Sequence, residues 1–134
     1  MALRHHTKEK STQRTTVHLN RGEIWALKYI SAITNNEMEG LLLEGWRRGL
    51  EYMNNPKNKV TAKPKALSTK TVVKGIRYPI EYKLKTMMVL YNRELINWYQ
   101  SDVIRLGVHI IIKDYSVRHP ELNKIIKRYE SEEA

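Results

Sequence analysis

Residues 11–20 read Ser11-Thr12-Gln13-Arg14-Thr15-Thr16-Val17-His18-Leu19-Asn20, and within them Thr15, Val17 and Leu19 alternate with Arg14, Thr16 and His18. Period two sends successive side chains to opposite faces, so this stretch predicts a strand with one apolar and one polar face. Asn20 is a favourable helix cap. After it Ile24, Leu27, Ile30 and Ile33 recur at helical spacing, predicting a helix over 21–34 that stops at Asn35-Asn36. A second helix is expected over 37–53, acidic at its start and basic at Arg47 and Arg48, with Leu42, Trp46, Leu50 and Met53 on one stripe. The plan is strand, helix, helix.

Downstream the plan recurs. Residues 54–70 hold Pro56, Pro64 and five lysines (Lys57, Lys59, Lys63, Lys65 and Lys70) with no acid, which reads as a basic linker. Residues 71–78 are rich in β-formers, Pro79 sits where a helix would start, and 80–91 reads as a helix carrying Leu84, Met87, Met88 and Tyr91. A longer helix is expected over 97–114, with Val103, Leu106 and Ile110 on a broad buried face. The repeat distance is about 59 residues, from Asn20 to Pro79. Beyond it, His119-Pro120-Glu121 opens a short helix with Leu122, Ile125, Ile126 and Tyr129 on its apolar side, expected to pack on the body. The domain reading is therefore an arm (1–10), a first unit (11–53), a linker (54–70), a second unit (71–115) and a C-terminal helix with an acidic tail (116–134).

Each unit of about 45 residues is too small to be stable alone, and its strand would leave edges unpaired. Pairing the two strands antiparallel over four helices makes one core from Val17, Leu19, Ile76, Tyr78 and the helix stripes. The fold class is mainly α with a short two-stranded antiparallel β-ribbon. A flexible tether of roughly 16 residues spans about 22 Å, which favours pairing within one chain; a homodimer with two ribbons is the alternative.

Lys and Arg number 24 against 14 Asp and Glu, for a net charge of +10, so the field of the chain attracts polyanions and nucleic acid is the first partner to consider. Cysteine is absent, which excludes disulfides, thiol catalysis and cysteine-based zinc sites. Apolar runs such as Leu41-Leu42-Leu43 and Ile110-Ile111-Ile112 fall far short of the roughly 20 residues that cross a bilayer. The first ten residues lack the apolar stretch of a secretory signal, and a cytoplasmic, nucleoid-associated protein is expected. No Walker loop, dinucleotide fingerprint or paired-histidine zinc motif is present, so neither enzyme activity nor a cofactor is expected. His5 and His6 read as solvated residues of the arm, not metal ligands. Trp46 and Trp98 fall on helices as core residues, which disfavours a single-stranded RNA platform.

The segment Ser101-Asp102-Val103-Ile104-Arg105-Leu106-Gly107-Val108 resembles the second-helix pattern of the ribbon-helix-helix DNA-binding family, to which the Arc and MetJ repressors belong. Glu39-Gly40-Leu41-Leu42-Leu43-Glu44-Gly45-Trp46 is its counterpart in the first unit; it keeps the aliphatics and the small residue but lacks the serine. Residues 15–20 followed by a helix resemble the family's ribbon. The two units cover about three quarters of the chain, as a tandem β-α-α-linker-β-α-α arrangement plus a short C-terminal helix. The resemblance implies a sequence-specific double-stranded-DNA-binding protein, a transcriptional regulator of the repressor kind, whose ribbon enters the major groove. Tandem members of the family include conjugation accessory proteins and regulators of archaeal viruses, so a viral or plasmid origin fits, as does further oligomerisation on DNA. Alternatives are a relaxosome or plasmid-partition accessory and, outside DNA binding, an antitoxin-like interaction module.

Carried over by position, the resemblance makes Arg14, Thr16 and His18 base-contacting residues. Arginine can donate two bonds to guanine, and threonine can touch a thymine methyl. On the second strand Val73, Gly75 and Arg77 fall outward and Lys74 inward, and a bulge at Gly75 is expected to turn Lys74 out, so Lys74 and Arg77 complete the base-contacting set. Phosphate contacts are expected from Asn35 and Asn36 at the first unit's second helix. In the second unit they are expected from Asn97, Gln100 and Ser101, with linker lysines such as Lys70 adding to them.

Overall fold

The computed structural model describes residues 12–60, 62–64 and 71–132, and among them the chain is mainly helical with one two-stranded antiparallel sheet and five helices. Strand β1 (Thr12–Asn20) leads into α1 (Arg21–Thr34) and α2 (Met38–Asn54); β2 (Thr71–Pro79) leads into α3 (Ile80–Asn92), α4 (Gln100–Arg118) and α5 (Glu121–Glu132). The strands pair with each other inside the one chain, from Thr12 opposite Pro79 to Asn20 opposite Thr71. Nine residues face nine without interruption, so the bulge expected at Gly75 is absent. Lys74 consequently lies opposite Val17 on the inner face, half-buried, and is not turned outward.

The repeat distance and the register agree on one point. A shift from Asn20 to Pro79 carries Thr16 onto Gly75, and these two residues are direct partners across the ribbon. Helices α2 and α4 pack directly against each other. Gly45 and Gly107 hold the same place in the two matched segments, and a β-carbon on Gly107 would stand 1.5 Å from the Gly45 carbonyl oxygen. One on Gly49 would stand 2.2 Å from the Val103 oxygen. Only glycine lets the two backbones approach so closely.

The core lies between the ribbon and this helix pair. Val17, Leu19, Ile76 and Tyr78 are buried, as expected, with Leu42, Trp46, Val103, Ile104 and Val108. Trp46 is fully enclosed, with the rings of Tyr78 and Tyr82 at 4.9 and 5.6 Å; its indole N–H donates to Thr86 Oγ1 at 2.7 Å, and the Thr86 hydroxyl donates to the Tyr82 carbonyl at 2.7 Å. The polar cost of burying the indole is thereby met.

These contacts decide which face of α3 turns inward. Helical spacing allows two rows there. Leu84, Met87, Met88 and Tyr91 is the more apolar, yet all four are more than half exposed and Tyr91 is 77 % exposed. Thr86 and Val89 are buried instead, with Tyr82 and Leu90 partly so, because Trp46 needs the Thr86 oxygen and the Tyr82 ring. Ile33 of α1, assigned to the core stripe by spacing, is 41 % exposed. In α4, Leu106 and Ile110 are half-buried; Val103, Ile104, Val108, Ile111 and Ile112 form the buried face.

Helix α4 begins at Gln100, three residues after the expected start, because the Asp102 carboxylate accepts the Tyr99 N–H at 2.8 Å and fixes the cap there. It runs on to Arg118, beyond the expected end at Asp114. The beginning of the linker is anchored: Arg93 donates to the carbonyls of Met53, Asn55 and Asn58 at 2.8, 2.8 and 2.7 Å, satisfying groups left open at the end of α2. Helix α5 packs on α1 and α4 as expected, with Leu122 buried, the Tyr29 hydroxyl donating to Glu121 Oε2 at 3.1 Å and Arg21 lying over the Tyr129 ring. No described helix is long and apolar enough to cross a membrane.

Candidate nucleic-acid interface

The middle of the ribbon's outer face carries three direct pairs: Arg14 opposite Arg77, Thr16 opposite Gly75, and His18 opposite Val73. All six are exposed, including Val73. Period two and the uninterrupted register bring Arg14, Thr16, His18 and Arg77 together on one side, while Lys74 is excluded from it. The charge is not spread evenly. Both arginines stand at the end of the ribbon where β1 begins, and the other end presents an imidazole and a valine. Like charges directly opposite one another repel.

Glu39, in the first turn of α2, meets that repulsion. Its carboxylate accepts the backbone N–H of Arg77 at 3.2 Å and guanidinium N–H groups of the same residue at 3.2 and 3.4 Å. Arg14, Glu39, Gly75, Ile76 and Arg77 line one shallow depression. The Arg77 guanidinium and N–H, with the charge of Arg14, hold the Glu39 carboxyl below its ordinary value. On the other strand the corresponding contact is neutral: the His18 backbone N–H donates to Ser101 Oγ at 3.4 Å. Each strand thus has one outward N–H capped from the start of the other unit's second helix. A carboxylate serves one side and a hydroxyl the other.

The expected phosphate anchors are placed unevenly. Asn35 ends α1 in the left-handed conformation (φ 56°) and Asn36 accepts the Ser31 hydroxyl through its carbonyl; both are exposed, but the cap of α2 is Glu37. With Glu37 and Glu39 the positive end of α2 is already faced by two acids of the chain itself. Gln100 donates to Thr15 Oγ1 at 2.6 Å and Ser101 receives the His18 amide, so both are tied to β1, while Asn97 is exposed in the turn before the helix. Of the linker lysines, Lys57 and Lys59 are exposed and Lys63 pairs with Asp102 at 3.2 Å; Lys65 and Lys70 lie outside the described residues.

Behind the ribbon a second ionic group was not legible from spacing. Glu23 is fully buried and receives Arg105 Nε at 3.0 Å on both oxygens, Arg105 Nη2 at 2.8 Å, His109 Nε2 at 2.5 Å and the Asn20 N–H at 2.9 Å. Arg105 also donates to Asn20 Oδ1 at 3.1 Å, so the start of α1 is joined to the middle of α4. Burial pushes the Glu23 carboxyl up, but the bonds from His109, Arg105 and Asn20 outweigh it and leave the group below its usual value. Among the described residues no group of three or more His, Cys, Asp and Glu side chains could hold a metal ion.

Sequence reasoning missed Glu39, although a signal existed: when the two second-helix segments are matched, glutamate stands where the other unit has Ser101. Compared with protein-family models, curated proteins and solved structures, the chain has no significant match.

Proposed function

We propose that this chain is a sequence-specific double-stranded-DNA-binding protein, a transcriptional regulator built as two ribbon-helix-helix units in tandem, which inserts its single ribbon into the major groove. The observation that carries the reading is the outward row of Arg14, Thr16, His18 and Arg77 on an uninterrupted two-stranded ribbon. A two-stranded ribbon fits the major groove, and these side chains are donors and acceptors suited to base edges. The net charge of +10 supplies the sequence-independent attraction to phosphate. On this reading Asn35, Asn36, Asn97 and the exposed linker lysines contribute phosphate contacts, and Gln100 and Ser101 support β1 from beneath. The site is asymmetric: guanines are expected under the Arg14 and Arg77 end, and a thymine methyl under Val73.

The test is selection of bound duplexes from a random library at near-physiological salt. Enrichment of a short motif with one guanine-containing half is the expected result. Retention without enrichment would mean binding through phosphates alone, and no retention would overturn the reading. One observation favours a second reading, a protein-interaction module: the exposed row Leu84, Met87, Met88 and Tyr91 on α3. A relaxosome or partition accessory would use the same ribbon, and the genomic position of the selected motif separates it from a repressor.

A further inference from the structure

We infer that Glu39 is a positioning residue for base reading: it grips one side of the Arg77 guanidinium, stays bound to it on DNA, and leaves the end of the group as a fixed fork for guanine. This rests on the DNA-binding reading above. The bonds divide the arginine in two. Glu39 Oε1 accepts from Nε at 3.4 Å and from Nη2 at 3.2 Å, the donors along one side of the guanidinium plane, and the other oxygen accepts the Arg77 backbone N–H at 3.2 Å. A guanidinium carries five N–H donors in a rigid plane. The donors at its end, on Nη1 and the second hydrogen of Nη2, have no partner among the described residues, and the Arg77 side chain is 59 % exposed.

Guanine offers O6 and N7 side by side in the major groove, the acceptor pair that such a fork fits. An arginine free to swing loses that freedom when it meets a base; one already held has lost it in the free protein, so the contact itself costs less. Rigidity also sharpens rejection. Adenine puts its N6 amino donor where guanine has O6, and a held guanidinium cannot turn away from it. The carboxylate keeps its partner at either base, so it does not stand unpaired beside the phosphates. The other strand shows what capping alone requires: the Ser101 hydroxyl suffices for the His18 amide, so the Glu39 oxygen on the guanidinium is surplus to that task.

Two simpler roles for Glu39, neutralising the Arg14 and Arg77 pair or anchoring β2, predict effects that do not depend on the base. The experiment uses the full chain and three duplexes: the selected one, a scrambled one, and the selected one with adenine in place of the guanine whose preference Arg77→Ala abolishes. Wild type, Glu39→Gln, Arg77→Ala and the double variant are titrated on each by fluorescence anisotropy at one salt concentration, with melting temperatures measured alongside. Glutamine keeps an acceptor for the Arg77 amide but removes the charged grip on the guanidinium. The expected result is that Glu39→Gln shrinks the preference for guanine over adenine about three- to tenfold, the adenine and scrambled duplexes shifting together and the melting temperature staying near that of wild type. In the Arg77→Ala background the same change should leave the guanine-to-adenine ratio where it is. No change, or an equal shift on all three duplexes, would reduce Glu39 to a neutralising charge. Weaker binding to all three with a lowered melting temperature would reduce it to a strand anchor. Either outcome overturns the inference, as would a loss of preference that persists without Arg77 or a motif in which no guanine depends on Arg77, and each leaves DNA binding intact. Failure of wild type to select any motif would overturn the DNA reading itself, and this inference with it.

Discussion

Gly107 of α4 lies so close to the carbonyl oxygen of Gly45 in α2 that a β-carbon on it would sit 1.5 Å away. The obstacle is backbone, which cannot rotate aside. Gly107→Ala should therefore separate the two central helices and cost about 3 kcal/mol, the upper range for overpacking a closed core. Gly40 supplies the control: a β-carbon there meets nothing within 4 Å, and Gly40→Ala should add roughly 0.5–1 kcal/mol by helix propensity alone. Chemical denaturation of both variants measures the contrast. Equal effects would mean the helix contact is looser than described.

The buried Glu23 makes acid sensitivity specific. Its carboxyl is held below its ordinary value of 4.5, so it contributes stability that is present above that unfolded-state value and is lost as pH falls through the folded one. Melting temperature should decline from about pH 5 downward. Glu23→Gln, which removes the buried carboxylate that the part-buried Arg105 pairs with, should cost about 3–5 kcal/mol at neutral pH and flatten the acid limb. A variant whose acid limb runs parallel to wild type would show that other carboxylates carry the effect.

Arg14 stands free of the Glu39 bonds that engage Arg77, so its removal separates base reading from phosphate attraction most simply. Arg14→Ala should weaken the selected duplex by about 1–3 kcal/mol and barely alter scrambled DNA at the same salt. A uniform loss across duplexes would make Arg14 a phosphate contact.

On α3 the outer row offers a stability test of the packing. Met88 is 58 % exposed, so Met88→Lys should leave the midpoint of denaturation within about 0.5 kcal/mol of wild type. Val89→Lys, one residue on, buries a charge and should unfold the unit. The reverse order of effects would turn the helix over.

The ribbon was readable from the sequence because its period is local: Val17 and Leu19 alternate with Thr16 and His18, and the boundaries of α1 follow from Asn20 and from Asn35 in the left-handed conformation. The repeat and the tether length favoured pairing of β1 with β2 within one chain but left a two-ribbon homodimer open; the register places the pair within the chain. What spacing misread was set by distant partners. The face of α3 was chosen by Trp46, 40 residues away, through its bond to Thr86. Glu23 and Arg105, 82 residues apart, form a pair that no local period encodes. At the ribbon, alternation alone put Lys74 inside, and the assumption that a lysine must be turned out led to the expected bulge. The inner face holds it half-buried opposite Val17, where a long apolar stem can lie against the core while the ammonium reaches the edge.

Because β1 and β2 belong to one polypeptide, their pairing does not depend on how many copies of the chain surround it. A ribbon assembled from two identical subunits comes apart on dilution and inherits every substitution twice. Here the joint is as intact at one molecule per cell as at a thousand. A change at His18 leaves Arg77 untouched, so the two edges of the ribbon can drift apart independently across generations.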